Sequence, residues 1–414
     1  MFQASLNDRA RVAAELRLVR MREFLAKNIP EVTQAVEHLP GSAKARMALL
    51  AASREHLNDL LKEGARDPQS RRQLVTLYRQ TADLEASLAP SDLSHYSNSA
   101  THYHRAVEEL LSLRDLSEPA RATLIDLYTR RAMIQQQFGQ FKEAKTVIAA
   151  AEKRYQPAKD NSPEMKQKAA RMFSMRGNLA LYENGAPGAE DSFRQSIALL
   201  NLDNSPQSRY ELARATRLLA MLFAHNQRNA EALEQASRSV TIGEQLLAAF
   251  PARDDYRRAL AASYVVQAGV LPPAAGRPVF SKAMELASFS AAADPYDVQM
   301  GSELVLIATR MAAADHPDAA SALARARELT EPLLNNFPKS YTAAADQIGL
   351  GLETSRYLRA KGRMRDALEE LKRIQPIASN QASEFPKLDS VRKRFQTVQE
   401  ETGALIEAVA RGAK

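Results

Sequence analysis

The chain has no cysteine and no tryptophan in its 414 residues, and only 15 glycines. Without thiols there is no disulfide frame, no thiolate zinc site and no cysteine nucleophile. Cysteine absence suits a reducing cytosol and a periplasm equally, so the compartment stays open. No stretch approaches 18 uninterrupted apolar residues, and the opening "MFQASLNDRARV" lacks the apolar core of a secretion signal, so a soluble segment without membrane insertion is expected. Runs of β-branched and aromatic residues alternating with period two are missing too, which argues against sheet. A Walker loop, a dinucleotide fingerprint, a nucleophile elbow and H-E-x-x-H are all absent. The chain is therefore expected to be no enzyme and to carry no cofactor.

What the chain does have is helix-forming apolar residue, 45% hydrophobic in total and dominated by Ala and Leu. The net charge of +7, from 56 basic and 49 acidic residues, is a mild excess. Nucleic-acid binding would need that excess in one stripe. Short basic clusters, "RRQL" at Arg71, "YRRAL" at Tyr256 and "RKRF" at Arg392, read as solvated faces.

Prolines recur ahead of amphipathic stretches at Pro68, Pro119, Pro163, Pro206, Pro251, Pro295, Pro338 and Pro386, separated by 51, 44, 43, 45, 44, 43 and 48 residues. A proline at the first helical position fixes φ and gives up an N–H that has no intrahelical partner, and a Ser or Asp before it caps the helix. A second periodicity runs in step. A small slot is followed twelve residues later by another small residue, and four further on by a residue that is usually apolar or aromatic. The copies are Ser87/Ser99/Tyr103, Ala132/Ala144/Ile148, Gly177/Ala189/Phe193, Ala220/Ala232/Ala236, Tyr264/Gly276/Phe280, Ala308/Ala320/Ala324 and Ser355/Ala367/Leu371, with Tyr264 breaking the small-residue rule. Small residues let two helix backbones approach closely while a larger neighbour fills the groove. Each unit therefore reads as a helical hairpin, and stacking must supply the stability that one hairpin cannot.

The expected architecture is all-α, a right-handed array of helical hairpins with a period of 43–48 residues. Residues 1–64 are expected to be N-terminal capping helices, 65–385 about seven hairpins, and 386–414 a C-terminal capping helix. Of the seven histidines only His95, His102 and His104 cluster, in "SHYSNSATHYHRA". An extended H-x-H pair could ligate a metal, but with no cysteine and only Asp92 nearby the stretch reads as a polar loop and no metal site is expected. His225 and His316 are placed in inter-helix turns, capping or facing water.

Small, Ala and aromatic residues at these offsets resemble the tetratricopeptide repeat, best in "YTRRAMIQQQFGQFKEAKTVIAAAEKRYQP" (Tyr128 to Pro157) and "FSMRGNLALYENGAPGAEDSFRQSIALL" (Phe173 to Leu200). The family period is about 34 residues, shorter than here. Over most of its length the chain also resembles the tetratricopeptide region that follows the kinase domain and membrane helix of many bacterial serine/threonine protein kinases. The stretches that carry this are "AVEHLPGSAKARMALLAASREHLNDLL" (Ala35 to Leu61), "DPQSRRQLVTLY" (Asp67 to Tyr78), "LLAAFPARDDYRRALAASY" (Leu246 to Tyr264) and "SAAADPYDVQM" (Ser290 to Met300). None of the kinase machinery is in the sequence. The resemblance implies an appended interaction or sensor region, extracytoplasmic if it follows such a membrane helix and cytoplasmic otherwise.

In tetratricopeptide arrays, first-helix positions six and three residues before and one and four after the first small slot line the concave groove. Carried over, these offsets give Thr129, Met133, Gln136, Arg171, Ser174, Asn178, Leu181, Arg214, Arg217, Met221 and Arg258 as the partner-binding groove. Arginine offers paired planar donors suited to carboxylates, so the expected partner is a protein or peptide with an acidic segment or C-terminal carboxylate. The competing reading is that these arginines solvate the surface or pair with Asp and Glu of neighbouring helices. A non-catalytic interaction or sensor scaffold is thus the favoured function. The alternative is a nucleic-acid-binding helical repeat, which lacks regularly placed aromatic stacking residues.

Overall fold

In the computed structural model, residues 42–411 are described, apart from 63, 65–66, 91, 115–116, 183–187 and 387. The break proposed at His38 to Ser42 and the turn around Gly185 fall largely outside the described residues. Sixteen helices follow one another, with no strand among the described residues. They are α1 (Ala43–Lys62), α2 (Pro68–Leu88), α3 (Ser94–Ser112), α4 (Glu118–Gln137), α5 (Phe141–Glu152), α6 (Pro163–Tyr182), α7 (Ala189–Leu200) and α8 (Pro206–His225). The second half comprises α9 (Asn229–Ala249), α10 (Asp254–Val270), α11 (Pro273–Ala293), α12 (Val298–Ala313), α13 (Ala319–Asn336), α14 (Tyr341–Ala360), α15 (Met364–Glu384) and α16 (Asp389–Ala410).

The recurring prolines serve two different ends. Pro68, Pro119, Pro163 and Pro206 sit in the first turn of α2, α4, α6 and α8, behind caps Asp67, Ser117, Ser162 and Ser205, whose side chains accept from first-turn N–H groups. Pro251, Pro295, Pro338 and Pro386 instead lie three residues ahead of α10, α12, α14 and α16, inside the connection. At those junctions aromatic pairs take over. Phe250 meets Tyr256, Tyr296 meets Phe337 and Tyr341 meets Phe385 edge-to-face, with centroids 5.9, 6.2 and 5.7 Å apart. The first fixes the end of α9 against the start of the next hairpin, and the other two close the α12–α13 and α14–α15 hairpins by joining the start of each to its end.

Within the hairpins the phased small residues are contacts. A Cβ built on Gly177 would lie 2.8 Å from the Phe193 ring, so only glycine fits under that buried side chain. The Ser355 hydroxyl donates to the Ala367 carbonyl at 3.1 Å, joining two slots of one copy. Ala132, Ala144, Ala189, Ala220, Ala232 and Ala367 are all sealed. The sixth copy corrects the pattern: Ala320 and Ala324 are exposed, and Ala319, Ala322, Leu323 and Ala326 are buried in their place. The connection after α12, residues 314–318, is five residues long where those after α4, α8 and α14 are three, and the sealed residue of α13 is its first, Ala319, eleven rather than twelve after Ala308. Tyr264, the exception in the fifth copy, is buried and donates its hydroxyl to Glu244 at 2.6 Å.

First helices lie inside the curve. From α4 to α14 each first helix touches the next first helix, whereas α11 and α13 are the only successive second helices packed to a similar degree among the described residues. After about one turn of this curve the array meets itself. The Ala43 N–H at the start of α1 donates to the Asp294 carboxylate at 3.0 Å, and the Arg46 guanidinium to Asp297 at 3.3 Å, both across 251 residues. Lys44 stands 4.3 Å over the Tyr296 ring, and the Ser340 hydroxyl donates to the Pro90 carbonyl at 2.7 Å. No buried apolar cluster joins the two sides of this seam among the described residues.

Candidate functional site

The inner face is built around buried charge. On α4, Asp126 is 1% exposed and accepts from Arg130 at 2.9 Å and from Arg171 of α6 at 3.1 Å, with the Lys168 ammonium 3.3 Å away. Burial works to raise its pKa, and the three cations outweigh it, holding the carboxyl far below the usual carboxylate range. Arg171 reaches onward to Glu211 of α8 at 2.6 Å, and Arg130 reaches back to Asp83 of α2 at 2.9 Å. Burial likewise opposes ionisation of Glu211, but Arg171 and Arg214 keep it below its ordinary value. A second run begins at Arg258 of α10, which bonds Glu303 of α12 at 2.9 Å and lies 3.6 Å from Asp297. Charges thus alternate from one first helix to the next.

The alternation fails between α8 and α10. Arg214 and Arg217 make no ion pair among the described residues, and the Nε of Arg217 is buried with no hydrogen-bond partner. Burial, reinforced by Arg214, lowers the proton affinity of Arg217. Lys168 reports the same surplus: burial depresses its pKa, Asp126 offsets only part of that, and Arg171, Arg130 and Arg79 depress it further. Cations outnumber carboxylates on this face, and the uncompensated pair sits on one helix.

The groove expected from the sequence is brought together only in part. Met133, Arg171, Ser174, Asn178 and Arg214 line one narrow crevice with Met175 and Leu218. Asn178 donates to Gln136 at 3.1 Å, tying α6 to α4. Thr129 does not face the crevice, and Ser174 reaches its edge with its hydroxyl engaged within the hairpin. Thr129 is buried and bonds the Ile125 carbonyl at 2.7 Å, and Ser174 pairs with Ser196 of α7 at 2.8 Å. In these two copies the residue three before the slot is engaged within its own hairpin, whereas Arg217, at the same offset in α8, is only half-buried. Leu181 is half-buried against a neighbouring apolar cluster. Met221 is 41% exposed, on the same helix as the free arginines. Arg171 and Arg258 are held by internal carboxylates, as the competing reading expected, which leaves Arg214 and Arg217.

The partners of these arginines, Asp126, Glu211, Asp297 and Glu303, were not among the expected site residues. The signal was present: Asp126 and Arg171 lie 45 residues apart, as do Arg258 and Glu303, and opposite charges one repeat apart meet across adjacent first helices.

The histidine stretch is a helix, not a loop. His95 and His102 sit on one face of α3, towards the buried Glu85, which accepts from His95 at 2.5 Å and from Arg54 of α1 at 2.6 and 3.0 Å. Burial would raise the pKa of Glu85, but His95 and Arg54 pull it below its ordinary value, while burial lowers that of His102. The Glu85 cluster fastens α1 to α2 and α3. Among the described residues no group of three or more His, Asp or Glu could hold a metal ion. His316 is also internal, accepting the Asp318 N–H at 3.0 Å and bonding the Arg277 carbonyl at 3.0 Å. No described helix is long and apolar enough to cross a membrane.

The geometry is that of a tetratricopeptide-like helical-repeat array, with first helices inside and small residues at the hairpin contacts. No family model matches the chain. No curated protein matches it either. Among solved structures it is similar to a Rap protein complexed with Competence and Sporulation Factor, at 11% identity and a TM-score of 0.46, over 95% of this chain and 99% of that one. It is also similar to the human IFIT1 dimer with m7Gppp-AAAA, at 14% identity and a TM-score of 0.42, over 91% of this chain and 81% of that one. A third is a thermophilic TPR protein in Thermus thermophilus, at 16% identity and a TM-score of 0.32, over 56% of this chain and 99% of that one. Likenesses this distant carry no ligand or partner across.

Proposed function

We propose that the chain is a non-catalytic protein-interaction scaffold that takes an acidic segment of a partner, or its C-terminal carboxylate, on the inner face at Arg214 and Arg217. The observation that carries this is the break in the charge ladder: Arg130, Arg171 and Arg258 each make an ion pair with an internal carboxylate, and Arg214 and Arg217 make none among the described residues. A guanidinium in a partly buried concave site is incompletely solvated, and a carboxylate or other planar anion is the ligand that would satisfy its paired donors. Asn178 and Met133 border the same crevice and would contact the partner's backbone and apolar side chains.

The resemblance in sequence supports a finer placement, as the appended regulatory region of a bacterial serine/threonine kinase. In that setting the array would sense a partner outside the membrane that the kinase spans. The full-length gene context decides this.

The test of the groove is Arg214→Glu combined with Arg217→Glu, assayed for capture of partners from a lysate of the source cell. Loss of the captured acidic partner by a double variant with native circular dichroism is expected; undiminished capture would remove the middle of the inner face from consideration. Polynucleotide binding that falls steeply with salt would instead favour the nucleic-acid reading.

A further inference from the structure

The seam between α1 and α12 is unlike the junctions between successive hairpins among the described residues. Successive hairpins are joined by buried apolar clusters, whereas α1 meets the start of α12 through ion pairs, one backbone-to-carboxylate bond and a cation over a ring. Ser340 adds a single hydroxyl bond to Pro90. Polar contacts exchange readily for water, so such a seam can open without exposing apolar surface. One group belongs to both sides of the problem. Oδ2 of Asp297 is 3.3 Å from Arg46 of the seam and 3.6 Å from Arg258 of the inner face.

We propose that the α1–α12 seam is a reversible clasp that admits a partner segment to the inner face, and that Asp297 couples the clasp to the ligand. The second half rests on the acidic-ligand reading above. An anion seated at Arg214 and Arg217 that extends to Arg258 on the adjoining first helix draws it away, leaves Asp297 wholly to Arg46 and tightens the clasp. Linkage requires the converse, that loss of the clasp weakens the ligand.

The absence of native cysteine makes the test direct. Spin labels at Ala48→Cys and Gln299→Cys, both exposed, report the distance between α1 and α12 by pulsed electron resonance on the full chain. The parent should give a narrow distribution. Arg46→Ala should broaden and lengthen it with helicity unchanged. Asp297→Asn should do the same, and because Asn can still accept the Met300 N–H that caps α12, it serves if the first variant fails to fold. Distributions identical to the parent in both variants would overturn the clasp. A ten-residue glutamate peptide is the ligand probe. It should narrow the parent distribution and bind Arg46→Ala about 5-fold more weakly. Binding equally tight to both would overturn the coupling. No binding to the parent would overturn the acidic-ligand reading and with it the coupling, while the label distances alone still decide the clasp.

Discussion

Asp126→Asn removes one charge from a carboxylate shared by three cations and changes almost no volume. Asp126 is 1% exposed and stands against Arg130, Lys168 and Arg171. Breaking a buried ion pair by neutralising one partner costs about 3–5 kcal/mol, because the other charge stays buried. Here two of the three cations keep a second carboxylate, Arg130 in Asp83 and Arg171 in Glu211. Only Lys168 is stranded, so the cost should fall near the lower limit, about 3 kcal/mol. Urea denaturation measures the loss, and amide exchange should localise it to α4 and α6, since repeat arrays can open in parts. Adding Lys168→Met should then recover about 1 kcal/mol by removing the stranded cation. A loss below about 0.5 kcal/mol for Asp126→Asn, or no recovery in the double variant, would refute the reasoning. The sign with pH follows from the depressed pKa. The stabilisation is complete above the unfolded value of about 3.9 and disappears as pH falls below it towards the folded pKa.

Asp346 should behave in the opposite sense, since burial pushes its pKa up to about 7. Its contribution is full below about pH 4 and is lost as pH rises to about 7, so Asp346→Asn should match the parent at pH 4 and exceed it by about 1–3 kcal/mol at pH 8 in urea midpoints. Gly177→Ala should lose about 1 kcal/mol net, overpacking against Phe193 of about 1–3 kcal/mol outweighing the roughly 1 kcal/mol gained in helix propensity. Ala144→Leu, Ala189→Leu and Ala151→Leu should each cost about 1–3 kcal/mol by the same measurement, for all three alanines are sealed.

That Ala151 belongs with the other two was not legible in the sequence, where it falls outside the phased triplets and reads as tolerant. It is buried in the apolar cluster against which Tyr155 and Phe173 pack. The helical hairpins were legible, because caps, prolines and small residues all act over a few neighbouring positions. The inner arginines were legible as residues on one face. What became of them was not, since whether an arginine is free depends on a carboxylate some 45 residues away on the next first helix. The register slip in the sixth copy was not legible either, because the offset of twelve spans the turn between two helices. A fixed offset presumes a fixed connection length, and one residue turns a helix by about 100°.

The seam also sets the copy number. Open solenoids gain or lose a unit at little structural cost, because each unit touches only its neighbours. Here the Ala43 N–H requires a carboxylate at Asp294 and Arg46 requires Asp297, and both lie 251 residues downstream. Deleting or duplicating one hairpin between them would shift the meeting point by a whole unit and leave the start of α1 facing residues that cannot receive it. The spacing of the array is therefore a dimension of the molecule as fixed as the circumference of a barrel. Changes of length among related chains should accumulate beyond α14, where no contact across the seam is made among the described residues.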